Sequence, residues 1–296
     1  MVAAALRWKL AIEFIGVFIT AHLFGAGIAY AAVVSIAVLS GLHAVLILIT
    51  FAIAWPGACE GAGNEPLGFL ARCATIAAEC AAYFALFAII QPFYRLFMGA
   101  AGQSPLLGNT LPVLFVHGYA CNRGLWWWML RKLRWHGVRA GAVSLEPPFA
   151  SIDALAAQLH RDIEDFLGGS AGGRLILITH SMGGLTARAY LKQHGSGRVA
   201  KLVTLACPHH GTRLAYLGPG RNAREMQPGS AWLGALAEGE AIPVPFVNVW
   251  SADDNFVAPQ TSSHLDGSQE IALEGLGHLS FVFSGRVLKI LLQELS

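Results

Sequence analysis

Hydrophobic positions divide this chain into two regions with different patterns. From Leu10 to Trp55 apolar residues follow one another almost without interruption, and Glu13 is the only Asp, Glu, Lys or Arg. From about residue 111 onward, short β-branched and aromatic runs alternate with longer amphipathic stretches. The first pattern is typical of membrane helices, because a span needs about 20 apolar residues. The second predicts a globular domain in which strands and helices alternate.

The apolar region is long enough for more than one span. Two are predicted over Trp8–Phe24 and Ala31–Trp55, with a turn at Gly25–Gly27, and a third over Thr75–Met98. Residues 1–98 are therefore expected to form an all-α transmembrane region of about three spans. Core helices of a soluble domain are the alternative interpretation. A cleaved signal peptide is not expected, because its apolar core would have only about 7–15 residues.

Basic residues next to the predicted spans indicate their orientation. Arg7 and Lys9 precede the first span, and Arg72 precedes the third. Lys and Arg collect on the cytoplasmic side of membrane proteins, so the N-terminus and the second loop are expected in the cytoplasm. Three spans then place the following domain outside, on the periplasmic side of a bacterial inner membrane. One span more or fewer would place the domain on the opposite side of the membrane.

The second region predicts one α/β domain over residues 111–296, joined to the first by a glycine-rich linker at 99–110. Strands are predicted near 112–117, 140–145, 174–179, 199–206, 245–250 and 269–273, and helices near 124–136, 151–167, 183–194 and 281–295. This alternation favours a mostly parallel sheet with helices on both faces. Residues 211–242 interrupt it and are expected to form a small cap.

Ser181 lies at a predicted junction between a strand and a helix. The segment Thr179–Gly183 fits the pattern G-x-S-x-G at four of its five places, and Thr179 is the departure. In that context a sharp turn projects the serine hydroxyl clear of the backbone, and a small residue two positions later lets the helix start close by. Ser181 is therefore a candidate nucleophile.

Other segments supply candidate partners for Ser181. The strand before His117 ends in a loop whose Tyr119 amide can join the Met182 amide in an oxyanion hole. An acid and then a histidine are expected further along the chain. Asp253 and Asp254 follow a predicted strand, and their spacing does not show which of the two is the acid.

The candidate histidine is His278. It lies in a glycine-flanked loop between a predicted strand and the last amphipathic stretch, after both candidate acids. His264 also follows the acids, but its surroundings do not indicate the end of a strand. His278 is therefore preferred over His264 as the group that takes the serine proton.

With these residues in place, the chain from about Leu111 onward resembles the bacterial lipase and esterase branch of the α/β-hydrolases. The resemblance rests on Val116–Tyr119, His180–Gly184, Leu202–Thr212 and Met226–Ser230. It implies an α/β-hydrolase fold and a serine enzyme that cleaves carboxylic esters, among them lipids, without a cofactor or a metal.

The same resemblance assigns roles to single residues. The acid loop of that family reads Asp, two residues, Val, one residue, Pro, which only Asp254 fits. The implied set is Ser181 as nucleophile, His278 as base and Asp254 as orienting acid. Ala206-Cys207 stands where the family usually has Gly-Thr. Cys207 is a less favoured nucleophile, because a lone cysteine is more often a small buried hydrophobe.

Several interpretations stay open on sequence grounds. The same triad would serve an acyltransferase or a thioesterase, and a hydrolase shell can also be a non-catalytic membrane interaction module. The net charge of +2 gives no indication of a nucleic-acid partner, and the five cysteines show no metal-ligand spacing. Trp126-Trp127-Trp128 either rests on the bilayer interface or packs on the sheet.

Overall fold

One parallel sheet organises the carboxyl-terminal two thirds of the chain. The computed structural model describes residues 1–57, 67–98, 111–168, 172–239 and 242–295; the predicted linker at 99–110 lies outside them. The six strands are β1 (Val113–Val116), β2 (Ala140–Val143), β3 (Leu175–His180), β4 (Val199–Leu205), β5 (Phe246–Ser251) and β6 (Gln269–Leu273). They pair in the order β2-β1-β3-β4-β5-β6, each pair parallel.

Helices cover both faces of this sheet. They are α5 (Trp127–Trp135), α6 (Ile152–Leu167), α7 (Met182–His194) and α10 (Gly285–Glu294). Successive residues of a strand point to opposite faces. Val113 and Phe115 accordingly join the cluster under α5 and α10, while Leu114 and Val116 join the cluster under α6 and α7. The predicted parallel sheet with helices on both faces is confirmed.

Three longer elements precede the sheet, and we call them the apolar helices. They are α1 (Val2–Leu23), α2 (Ile28–Ala54) and α3 (Phe69–Phe84), the last continued by a π-helical segment (Ala85–Ile90). The segments Ile28–Ala54 and Phe69–Ile90 are long and apolar enough to cross a membrane. Two such helices, one near the N-terminus, are compatible with a membrane anchor or a signal sequence. The count of three spans stays a prediction.

The third predicted span differs from the structure at both ends. The helix starts at Phe69 rather than Thr75, and a turn at Gln91–Phe93 separates it from the short helix α4 (Tyr94–Met98). Pro92 explains the interruption, because proline has no amide hydrogen and its ring clashes with the preceding helical turn. Gln91 is fully buried there, and its Oε1 accepts a hydrogen bond from the Asn122 amide at 2.8 Å.

Helices α2 and α3 share a core with the sheet. Ile47, Phe51 and Leu86 are almost fully buried and belong to the same cluster as Phe115. Other apolar residues of α2 are exposed, as at Val33, Ile36, Leu42, Leu48 and Ile49. A soluble surface rarely carries so large an apolar patch. Part of the surface of α2 and α3 therefore packs on the domain, and the exposed apolar part is compatible with a lipid environment.

The tryptophan triplet is only partly buried. Trp126 is fully buried, with its ring 4.6 Å from that of Phe115. Trp127 and Trp128 are half-buried, and they contact Phe97 of α4 and Phe283 respectively. Packing thus accounts for Trp126, and contact of Trp127 and Trp128 with a bilayer interface stays a prediction.

The segment between β4 and β5 forms short helices in place of a strand–helix unit. They are a 3-10 turn (Arg213–Leu217), α8 (Arg221–Glu225) and α9 (Ala231–Ala237). They contribute residues to the space beside Ser181. That residues 211–242, of which 240 and 241 lie outside the described part, form a cap stays a prediction.

Candidate active site

The order of the strands creates a crevice at one edge of the sheet. Strand β1 lies between β2 and β3, so the chain leaves β1 toward one side and later returns on the other. In open α/β sheets, ligands bind outside the carboxyl ends of the strands at such a switch point. The loop after β1 carries Tyr119, and the turn after β3 carries Ser181.

Ser181 occupies a backbone conformation that residues other than glycine seldom adopt. Its φ is 56° and its ψ is −130°, directly before α7. Two glycines make the tight turn possible. A Cβ on Gly118 would lie 2.7 Å from the Cβ of Ser181, and one on Gly183 would lie 2.7 Å from the carbonyl oxygen of His117. Thr179, which is bulkier than glycine, is fully buried at the end of β3, with Val116 and Thr204 as its neighbours on the adjacent strands.

The structure brings His278 and Asp254 together. Nδ1 of His278 lies 2.8 Å from Oδ2 and 3.1 Å from Oδ1 of Asp254, and both residues are almost fully buried. Oδ1 also accepts hydrogen bonds from the amides of Phe256 at 2.7 Å and Val257 at 2.9 Å. The carboxylate is thus held in one orientation and can fix the tautomer of the imidazole.

Asp253 and His264 lie in other environments. Oδ2 of Asp253 accepts a hydrogen bond from the Gly275 amide at 2.7 Å, and burial raises the pKa of this carboxyl group. Nδ1 of His264 lies 3.3 Å from a carboxylate oxygen of Glu270. The geometry therefore distinguishes Asp254, which contacts His278, from Asp253, which does not. Their spacing in the sequence does not make that distinction.

The side chains of Asn255 and His180, which neighbour Asp254 and Ser181 in the chain, hold the backbone of His278. Its amide donates to Oδ1 of Asn255 at 3.0 Å, and its carbonyl oxygen lies 3.0 Å from Nε2 of His180. A carbonyl oxygen can only accept, so Nε2 of His180 carries the proton. Burial lowers the pKa of His180 well below its usual value, which keeps this ring neutral.

His117 orients the peptide that leads to Tyr119. Its Nε2 accepts from the Leu145 amide at 2.9 Å, so Nδ1 carries the proton and donates to the Gly118 carbonyl at 2.8 Å. Burial lowers the pKa of His117 to about 4, in agreement with a neutral ring. The Gly118 carbonyl and the Tyr119 amide belong to one trans peptide and point in opposite directions. His117 therefore directs the Tyr119 amide away from its own ring.

The two candidate oxyanion donors are available. Met182 is the first residue of α7, where helical amides have no acceptor within the helix. Within the described parts of the chain, neither the Met182 nor the Tyr119 amide donates a hydrogen bond to another residue. Both amides are thus free to bind an oxygen of a ligand.

An apolar cavity of about 350 Å³ lies beside these groups. Ser181 and His278 both line it, although no hydrogen bond joins the Ser181 hydroxyl to the imidazole among the described residues. Such bonds are often long in free enzymes and tighten when substrate binds. The remaining walls come from the apolar helices (Leu46, Thr50, Tyr83, Phe87), the loop after β1 (Tyr119, Cys121) and the cap (Leu214, Leu217, Met226).

Cys207 does not face this cavity. It is fully buried under α7 beside Gly184, and burial raises the pKa of its thiol. Both observations fit a small core residue. The described ranges contain no group of three or more His, Cys, Asp or Glu placed to hold a metal ion.

Sequence reasoning did not identify four residues that surround the candidate histidine and acid. They are Thr50, Glu79, His180 and Asn255. Only Glu79 left a signal, since it is the sole charged residue between Arg72 and Arg95. An isolated acid in an apolar helix commonly has a partner and a function.

Comparisons with known proteins agree with this fold. Residues 163–218 match the family described as a PGAP1-like alpha/beta domain. The mature lipase BlEst2 of Bacillus licheniformis superposes with a TM-score of 0.57 at 17% identity, over 66% of this chain and 96% of the lipase. Lipase B of Aspergillus fumigatus gives 0.53 at 18% identity, over 61% of this chain and 52% of that lipase. The chain thus has the fold of the α/β-hydrolase superfamily, with lipases among its structural neighbours, and carries apolar helices in front of it.

Proposed function

We propose that this protein is a membrane-anchored serine hydrolase that cleaves carboxylic esters of lipids. The observation that carries the proposal is the shared cavity: Ser181 on its tight turn and His278, whose Nδ1 is bound to Asp254, line the same apolar space. A serine at a cavity wall, a histidine held by a buried carboxylate and two free amides are the parts that acyl transfer requires.

The reaction follows from the positions of these groups. The Ser181 hydroxyl attacks the ester carbonyl while Nε2 of His278 takes its proton, and Asp254 stabilises the imidazolium. The Met182 and Tyr119 amides bind the oxyanion of the tetrahedral intermediate. As the carbon–oxygen bond breaks, His278 returns the proton to the leaving alcohol. Water then attacks the acyl-enzyme by the same steps, which releases the acid and restores Ser181.

The apolar cavity supports the proposal that an acyl chain of the substrate lies beside Ser181. Its walls are mostly apolar, and the apolar helices contribute Leu46, Tyr83 and Phe87 to them. The outer side of the same helices is apolar and exposed. A bilayer around these helices would thus lie next to the cavity, so a membrane lipid would reach Ser181 over a short path.

We expect Leu46→Trp to shift the acyl-chain preference toward shorter esters. The indole would occupy cavity volume that a long chain needs, and one or two excluded methylene groups change selectivity by roughly tenfold or more. The measurement is kcat/KM for p-nitrophenyl esters of increasing chain length.

Leu48→Trp is the matched control for that change. Leu48 lies on the same helix and is 47% exposed, against 45% for Leu46, but it does not line the cavity. Positions two apart point to nearly opposite sides of a helix. The same shift in both variants would mean that α2 does not bound the acyl site.

The proposed function is tested by covalent labelling of the detergent-extracted protein with a fluorophosphonate. The expected result is one phosphonate per chain, located on Ser181 by peptide mass analysis, and release of acid from an ester in water. Product analysis with added alcohol distinguishes hydrolysis from acyl transfer. A protein that neither reacts with the probe nor releases acid would instead be a membrane interaction module.

A further inference from the structure

Glu79 is a buried acid that reaches from an apolar helix into the candidate active site. It lies in α3, is fully buried, and is the only charged residue between Arg72 and Arg95. Its Oε1 accepts a hydrogen bond from the Leu279 amide at 2.8 Å, and its Oε2 accepts one from the Ser280 amide at 2.9 Å. Leu279 and Ser280 are the two residues that follow His278 in the chain.

The loop of His278 is shaped around this carboxylate. A Cβ on Gly277 would lie only 2.6 Å from Oε2 of Glu79, so glycine leaves the space that the carboxylate occupies. Burying an acid in an apolar helix is unfavourable unless it is well hydrogen-bonded. Hydrogen bonds from two amides supply part of that compensation.

A second contact joins the apolar helices to the loop of the acid. Nδ2 of Asn255 donates to the Thr50 hydroxyl at 2.7 Å, and Oδ1 of the same side chain accepts from the His278 amide. Three side chains thus hold the main chain around His278. Asn255 is next to Asp254 in the chain, His180 is next to Ser181, and Glu79 belongs to α3. Glu79 does not line the cavity, so it cannot touch a substrate there.

We propose that Glu79 is a positioning residue for His278 and that the apolar helices thereby complete the active site. The carboxylate fixes the main chain at residues 279 and 280, which sets the direction of the imidazole toward Ser181. The proposal rests on the function proposed above. It assigns the helices a part in catalysis in addition to anchoring.

The test is Glu79→Gln in the full-length protein, assayed on a p-nitrophenyl ester. Gln has nearly the same shape but only one acceptor oxygen, so one of the two amides would face an NH2 group. We expect kcat to fall by about 10²-fold, because small displacements of a catalytic group cost that much. KM should stay within about twofold, since the cavity is unchanged. The rate of fluorophosphonate labelling should fall with kcat.

Thr75→Val is the matched control. Thr75 is buried one turn earlier on α3, and among the residues that the structure describes its hydroxyl bonds only to the Ala71 carbonyl of its own helix. The loss of the Thr75 hydroxyl tests the general effect of removing a buried polar group from α3. The kcat of Thr75→Val should stay near that of the parent. Glu79→Asp keeps the charge with a shorter reach, and its kcat should lie between those of the parent and Glu79→Gln.

Two results would overturn the proposal. One is a folded Glu79→Gln variant with the kcat and labelling rate of Thr75→Val. The other, if the Gln variant does not fold, is a Glu79→Asp variant that retains the full kcat or does not fold either, because the residue would then serve stability alone. A parent protein that does not react with the fluorophosphonate would instead contradict the proposed function itself.

Discussion

Replacing Ser181 with alanine is expected to lower kcat for ester hydrolysis by about 10⁶-fold and to abolish fluorophosphonate labelling. Removal of the nucleophile from a serine enzyme has an effect of that order, because histidine and acid contribute little without it. The residual rate would come from the oxyanion donors and the cavity. Ser181→Ala also relieves no clash and opens no core cavity, since Ser181 is partly exposed at the cavity wall. We therefore expect an unchanged melting temperature.

Cys207→Ala is the control for this experiment. Cys207 follows β4 close to the site and is the alternative nucleophile in sequence, but it is fully buried. Its replacement should leave labelling intact and lower stability slightly, as for other small truncations in a core. Equal labelling of the parent and of Ser181→Ala would mean that the turn after β3 does not carry the nucleophile.

Much of the fold could be predicted because the strands are buried on both faces. Strands β1, β3 and β5 are buried along their whole length, so each appears in the sequence as a short, mostly apolar run. Glycine and proline mark their ends. The helix α3 was harder to delimit, because an apolar composition alone does not show that Pro92 ends the span.

The candidate residues Ser181, Asp254 and His278 could be named because each follows a strand of one parallel sheet. The carboxyl ends of such strands meet at one edge, so chain order predicts proximity. Their catalytic roles stay predictions until they are tested. Chain order does not show which of the adjacent Asp253 and Asp254 faces His278, and only the resemblance to the acid loop of the lipase family favoured Asp254.

The contribution of the apolar helices could not be predicted from sequence patterns. Glu79 and Leu279 are 200 residues apart, and their contact arises only when α3 packs against the loop after β6. Hydrophobic periodicity assigns such a helix to lipid on all sides. The packing of α2 and α3 on the sheet instead turns one side of each helix toward the protein.

Asp254→Asn is expected to lower kcat by roughly 10⁴-fold, as the loss of the orienting acid does in serine proteases. The hydrogen bonds around Asp254 give the reason. Oδ1 accepts from the Phe256 and Val257 amides, so the oxygen of an asparagine would stay there and its NH2 group would replace Oδ2. That NH2 group would donate to Nδ1 of His278 and leave the proton on Nε2. A protonated Nε2 cannot take the proton of Ser181.

Asp253→Asn provides the comparison, because it changes the same type of side chain one residue away. Oδ2 of Asp253 accepts from the Gly275 amide, and the oxygen of an asparagine can make that same bond. We expect the kcat of Asp253→Asn to stay within a few-fold of the parent, since the tautomer of His278 does not depend on it. Both variants should be compared by kcat and by the rate of fluorophosphonate labelling. A large loss in Asp253→Asn with little change in Asp254→Asn would reverse the assignment and show that the bond between Asp254 and His278 serves only the fold.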